Sequence, residues 1–276
     1  MKHAETNWKS NDGLTLFAQC WEPDETSLKA VVCLVHGIGE HTGRYAHVAE
    51  AFGKEGYVLF TADLRGHGKS EGLRGHAPSM EQLMQDIDLL LQQASVRYPS
   101  LPIFLYGHSL GGILALHYVL KRKSTVKGVL VTSPAMHSSL EQQPAKVLAA
   151  KVLGALIPKL VLASGLDVNA ISHDKGVIEA YNKDPLVHDR ISVGFGKILL
   201  RVCRWNLEHA GEFSLPLLLM HGSADAVAFS SSSSEFAQPL GDKCTLILWE
   251  GGFHELHNEP FKDEVFKSMI IWMNAL

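Results

Sequence analysis

Three residues far apart in a chain of 276 carry side chains that could share one reaction. A hydroxyl stands at Ser109 in Gly107-His108-Ser109-Leu110-Gly111, a carboxylate at Asp225 in Gly222-Ser223-Ala224-Asp225, and an imidazole at His254 in Gly251-Gly252-Phe253-His254. A free serine hydroxyl is a weak nucleophile, but an imidazole that titrates near neutrality can take its proton and return it to a leaving group. A carboxylate on the other ring nitrogen would orient the ring and stabilise the imidazolium. The pentapeptide alone is a modest signal, because a serine in a structural turn could be spelled the same way. Position decides.

The apolar runs Ala30–His36, Tyr57–Asp63, Pro102–Gly107, Val126–Ser133, Pro216–Gly222 and Cys244–Gly251 read as strands. They are continuous rather than alternating and are separated by helical stretches, which predicts a mostly parallel sheet covered on both faces. Helices are expected over Tyr45–Lys54, Met80–Tyr98, Leu110–Lys121 and Phe261–Leu276, with an early hairpin at Leu14–Trp21. Ser109, Asp225 and His254 then each follow the carboxyl end of a different strand, where ligands bind in open α/β sheets. Their order along the chain is that of a nucleophile elbow and its two partners. Gly107 and Gly111 would let strand and helix backbones approach. The backbone amides of Leu110, directly after the serine, and of Ile38, after the strand ending at His36, are the expected oxyanion donors.

Between Pro134 and about Phe213 lies an interval too long for an ordinary crossover. It reads as a helical cap, with helices at Lys146–Ile157 and Ile191–Arg204 and breaks at Gly165, Gly176 and Asp184-Pro185. The expectation is one domain over residues 1–276 with a cap at about 134–213. The run Ser230–Ser234 should open the helix holding Phe236, its hydroxyls capping exposed amides.

Composition is ordinary for a globular protein: 46% apolar, 20% charged, and 25 basic against 29 acidic residues, for a formal charge of -4. Nothing favours nucleic acid, and a neutral substrate is expected. Cys20, Cys33, Cys203 and Cys244 form no CxxC pair and read as buried thiols in a reducing compartment. The start MKHAETNWKS has no apolar signal core, and Lys146, Lys151 and Lys159 interrupt the most apolar later region, so a cytoplasmic location is expected. Three motifs fail on spelling. Gly68-Lys69-Ser70 has Asp63 where a phosphate loop needs glycine, His254 and His257 are spaced by three rather than four, and Thr42 breaks the dinucleotide pattern of Gly37, Gly39 and Gly43. No metal or cofactor is called for.

The stretches HGIGEHTGRY (His36–Tyr45), ADLRGHGKSEG (Ala62–Gly72), GHSLGG (Gly107–Gly112), LMHGSAD (Leu219–Asp225) and GGFHELHNE (Gly251–Glu259), with KVLAAKVLGALIPKL and YNKDPLV in the cap, closely resemble the monoacylglycerol lipase, or monoglyceride lipase, group of serine hydrolases. The resemblance spans nearly the whole chain. It implies an α/β-hydrolase core with a helical cap, cleavage of glycerol monoesters to fatty acid and glycerol, and no cofactor. It further implies that Glu40, Arg44 and His257 help form the polar end where glycerol leaves, and that Tyr181 sits near a narrow inner pocket.

An acyl chain needs an apolar trench. Val147, Leu148, Val152, Leu153, Leu156, Ile157, Leu160, Leu162 and Leu166 could line it, bury against the core, or form a mouth facing a membrane. Two departures stand out: His188 occupies the cap position where animal members carry a reactive cysteine, and Ala226-Val227 follows Asp225 in place of a basic residue. The expected reaction is hydrolysis of monoacylglycerol through a Ser109 acyl-enzyme. A broader carboxylesterase or lysophospholipase is the alternative, and a noncatalytic lipid-binding protein of this fold is the reading from another class. Oligomeric state is not legible.

Overall fold

The computed structural model describes residues 1–24, 27–138 and 143–276, with the backbone alone at 145, 146, 149–151 and 155. Its strands are β1 (Lys2–Lys9), β2 (Thr15–Glu22), β3 (Ala30–Val35), β4 (Tyr57–Ala62), β5 (Ile103–His108), β6 (Gly128–Thr132), β7 (Val161–Leu162), β8 (Ile191–Ser192), β9 (Leu217–Gly222) and β10 (Cys244–Trp249). Its helices are α1 (Ala46–Gly53), α2 (Met80–Arg97), α3 (Leu110–Lys121), α4 (Pro144–Leu156), α5 (Lys175–Lys183), α6 (Val193–Glu208), α7 (Ser231–Ala237) and α8 (Lys262–Ala275).

The main sheet has the order β1-β2-β4-β3-β5-β6-β9-β10. It is parallel from β4 to β10 and antiparallel where β2 meets β1 and β4. The fold is therefore α/β, a mostly parallel central sheet flanked by helices. Alternate side chains of one strand serve two cores, as the pleat dictates. Val31, Cys33 and Val35 of β3 pack towards α2 and α3, while Val32 and Leu34 pack towards α1 and α8. Fully burying one such side chain contributes about 1.5–3 kcal/mol, so both faces bind the layers together.

The two sheet edges are less covered than its centre. The N-terminal residues form β1, which pairs Lys2 with Glu22 through Lys9 with Thr15, so the hairpin is wider than Leu14–Trp21. Only Ala4 and Trp8 of β1 are half-buried, leaving a solvated edge with no apolar run to announce it. At the other edge β10 is only partly covered, and Leu248 is exposed.

The interval after β6 forms a cap region of α4, α5 and α6 with the small β7–β8 pair. Ile191 and Ser192 pair with Leu162 and Val161 rather than opening a helix, and α6 starts at Val193. Gly176 is not a break: Asp174 caps α5 by accepting from the Gly176 amide. Backbone bonds fasten the cap to the core, from His188 N to Gly39 O at 2.8 Å, Ser192 N to Gly75 O at 2.9 Å and Glu255 N to Ile171 O at 2.8 Å. The serine run does open α7, but Ser230 makes no side-chain cap, and the Ser233 hydroxyl bonds His221 instead.

Candidate active site

β5 delivers the chain to Ser109 and α3 carries it away. Ser109 is held at φ 52° and ψ −113°, a left-handed conformation that costs a non-glycine residue about 1–3 kcal/mol. Neighbouring glycines make this turn fit. A Cβ on Gly107 would lie 2.3 Å from Gly111 O, and one on Gly111 would lie 1.9 Å from Val35 O. The helix can therefore start directly against the ends of β3 and β5. Ser109 N donates to Thr132 O at 2.9 Å, and Ser109 O accepts from Ile113 N at 3.1 Å, the first bond of α3.

The loops after β9 and β10 bring up the partners. His254 Nε2 lies 2.9 Å from Ser109 Oγ, and His254 Nδ1 lies 2.7 Å from Asp225 Oδ2. An ionised carboxylate only accepts, so Nδ1 carries the hydrogen and Nε2 presents its lone pair to the hydroxyl. Asp225 Oδ1 accepts from Val227 N at 2.8 Å and Ala228 N at 2.9 Å. Backbone amides thus anchor the acid where no basic side chain follows it. Burial alone would raise the Asp225 carboxyl, but the His254 charge and the bonds from His221 and His254 hold it well below its ordinary range. Burial alone would depress His254, and the Asp225 charge and hydrogen bond more than offset it, leaving a raised pKa.

Ile38 and Leu110 line the cavity beside Ser109. The Gly37 amide is already taken by Glu40 Oε1 at 2.6 Å. Leu110 begins α3, where no preceding turn claims its amide.

The cavity measures about 580 Å³, within the range of small-molecule sites. Leu199, Leu200 and Leu207 of α6, with Ile113, Met136, Leu166 and Ile171, line its apolar part. Glu40, His108, Tyr181 and Glu255 line a polar part. Behind the carboxylates, Arg44 Nη1 lies 2.7 Å from both Glu40 Oε2 and Glu255 Oε1, and its Nη2 lies 2.7 Å from Glu255 Oε2. The Tyr181 ring covers the guanidinium, with 4.7 Å between Cζ and the ring centroid. His108 stands between His254 and His257, and burial, aided by the neighbouring His254 charge, pushes it down to about 4. It is a neutral wall of the site.

Several residues stand elsewhere than the sequence placed them. Arg44 does not line the cavity but lies behind its two carboxylates. His257 is fully buried, stacked on Tyr45 at 4.8 Å and edge-on to His108 at 4.7 Å, and does not line the cavity either. Leu148, Val152, Leu156 and Ile157 are 61%, 52%, 74% and 48% exposed and line no part of it. The cause is that α4 packs on α6 through its other side: a Cβ on Gly154 would lie 3.1 Å from Lys197 Cβ. The side chains of Lys146 and Lys151 lie outside the described residues, whereas Lys159 is exposed. Glu255, His108, His221 and the α6 leucines were not singled out from sequence. Glu255, next to His254, and His108, next to Ser109, had a local cue.

A family model described as "Serine aminopeptidase, S33" matches residues 26–261. A monoacylglycerol lipase of Mycolicibacterium smegmatis is 31% identical over 272 residues, covering 98% of this chain and 96% of that protein. An uncharacterised abhydrolase domain-containing protein of Dictyostelium discoideum is 38% identical over 276 residues, but this chain spans only 29% of its length. The crystal structure of a Paleococcus ferrophilus monoacylglycerol lipase superposes with a TM-score of 0.83 at 31% identity, covering 100% of this chain and 99% of that one. With its elbow, acid and histidine at three strand ends of one sheet, the chain belongs to this family of α/β-hydrolase-fold serine hydrolases, which includes monoacylglycerol lipase homologues.

Proposed function

We propose that this chain hydrolyses monoacylglycerols to glycerol and free fatty acid through an acyl-enzyme on Ser109. Ser109 Oγ attacks the ester carbonyl carbon as its proton passes to His254 Nε2, 2.9 Å away. The amides of Ile38 and Leu110 receive the oxyanion. The carbon–oxygen bond to glycerol breaks as His254 returns the proton to the departing alcohol oxygen. Water then gives a proton to His254 and attacks the acyl ester, and collapse restores the Ser109 hydroxyl and frees the acid.

The observation that carries the substrate choice is the charge of the polar part. Glu40 and Glu255 face the cavity, while their shared cation Arg44 stays behind them. Two carboxylates against one guanidinium leave one net negative charge. A phosphate placed against this part of the wall would be repelled. A neutral polyol meets no such repulsion, so the site favours a glycerol monoester over a lysophospholipid.

We further place the enzyme in the cytoplasm, meeting lipid peripherally. The exposed α4 side chains Leu148, Val152 and Leu156 support contact with a membrane surface, and no helix among the described residues is long and apolar enough to cross one.

Holding the acyl chain fixed, kcat/KM should be highest for monoacylglycerol among monoacylglycerol, diacylglycerol, lysophospholipid and a simple ester. A clear lead for lysophospholipid or simple ester overturns the substrate assignment. Labelling by a serine-reactive phosphonate that persists in Ser109→Ala overturns the mechanism.

A further inference from the structure

Asp225 Oδ2 carries two imidazole partners. One is His254 Nδ1 at 2.7 Å; the other is His221 Nε2 at 3.1 Å. His221 lies near the end of β9, four residues before the acid, and is fully buried. Its Nε2 is also 2.9 Å from Ala228 O. A carbonyl oxygen can only accept, so Nε2 carries a hydrogen, shared between Ala228 O and Asp225 Oδ2. The other ring nitrogen is fixed by the Ser233 hydroxyl of α7 at 2.7 Å.

We propose that His221 is a positioning residue for the catalytic acid, a second N–H donor that orients Asp225 Oδ2 and moderates its pull on the His254 proton. This inference rests on the roles given above to Asp225 and His254. The physical basis is competition for one oxygen. Two backbone amides already hold Oδ1, so the carboxylate has an anchor without His221. What His221 adds falls on the oxygen that bonds His254. A hydrogen bond to an ionised carboxylate stabilises its charge, and here it draws part of that charge away from the bond with His254.

Without that donor Oδ2 becomes a stronger acceptor, the His254 imidazolium gains stability, and the base is protonated over more of the neutral range. His254 is also faced by Glu255 beside it, Glu40 from the loop after β3 and His108 at the end of β5. None of these three bonds Asp225, whereas His221 does. It lines no part of the cavity, so its loss should leave substrate binding alone.

The test compares His221→Leu, which removes the donor, with His221→Gln, which restores an N–H. In His221→Leu, kcat should fall about 10- to 100-fold, the size of a small misalignment of reacting groups, with KM nearly unchanged. The acid limb of its pH profile should move up by roughly half a unit or more. His221→Gln should recover most of kcat and return the limb. A folded His221→Leu with unaltered kcat and limb, or a His221→Gln as slow as it, overturns the proposal.

Should His221→Leu not fold, Ser233→Ala replaces it, since it frees the ring and weakens the shared donor. The limb should then rise by less, and the low-field proton resonance of the His254–Asp225 bond should move further downfield. No change in either refutes the idea. Ser109→Ala and His254→Ala run beside the series: activity surviving in these would refute the assigned reaction, an outcome separate from any result at His221.

Discussion

Replacing Arg44 by methionine keeps an unbranched apolar stem and removes one guanidinium. Its side chain is 10% exposed, and those of Glu40 and Glu255 are 3% and 4% exposed. Removing one member of a buried ion pair destabilises by about 3–5 kcal/mol, because a charge is left without compensation. Here two carboxylates are left. For a domain of this size about 2–4 °C of Tm accompanies each kcal/mol, so Tm at pH 7 should fall by roughly 6–20 °C.

The pH dependence identifies the cause. Burial pushes the Glu40 carboxyl up, but the Arg44 charge and the hydrogen bond from Tyr45 Oη bring it below its ordinary value. A depressed carboxyl contributes stability that is present above its unfolded pKa, about 4.3, and is lost as pH falls through its folded pKa. In Arg44→Met the Glu40 carboxyl rises instead, so the deficit should be largest near neutrality and shrink as pH falls and that carboxyl protonates. Scanning calorimetry of both proteins from about pH 4.5 to 8 reads this directly. A Tm loss under about 2 °C at pH 7, or a deficit constant with pH, refutes the reasoning.

The acid limb of kcat/KM should lie above about 6.5, the ordinary histidine value, because His254 is raised. The linkage sign is opposite for stability: the contribution of His254 is complete below its unfolded pKa and lost as pH rises through its folded one. A limb below that value contradicts the assignment. Gly111→Ala would drive a Cβ to 1.9 Å from Val35 O and 2.5 Å from Val35 C, so α3 must shift and carry Ser109 with it. Phosphonate labelling should slow at least about 100-fold, and labelling at the original rate would show that the approach is not tight. Leu148→Asp with Leu156→Asp should weaken binding to lipid vesicles about tenfold or more. Hydrolysis of a soluble short-chain monoester should be unchanged, and retained vesicle binding argues against α4 as the contact.

The convergence of Ser109, Asp225 and His254 was legible because each follows an apolar strand: β5 and β9 are buried on both faces, and β10, though a half-covered edge, is still a continuous apolar run. The register then does the rest: Val35 pairs with Gly107, His108 with Thr132 and Trp249 with Gly222, which lines up the strand ends. The exposed face of α4 was not legible. Pro144-Ala-Lys-Val-Leu-Ala-Ala-Lys-Val-Leu-Gly-Ala-Leu156 is apolar on more than one side, and periodicity cannot tell a cavity from solvent when both sides qualify. The depth of His257 and the second partner of Asp225 were hidden for another reason. Each depends on residues from other elements, Tyr45 and His108 in one case and Ser233 of α7 in the other.

The same dependence across elements joins the cap to the chemistry. Gly39 has φ 76°, and a Cβ there would lie 2.4 Å from His188 O, while Gly39 O accepts from His188 N. The cap backbone therefore rests on the loop that carries Ile38. His188 also donates from Nε2 to Gly66 O at 3.1 Å, and His41 bonds Asp184 at 2.8 Å, so the contact is fixed on both sides. The cavity wall at Tyr181 and the loop that carries Ile38, the proposed oxyanion donor, are thus not separable modules. A change that repositions α5 alters the oxyanion loop as well as the cavity, and it must register in kcat as well as in KM.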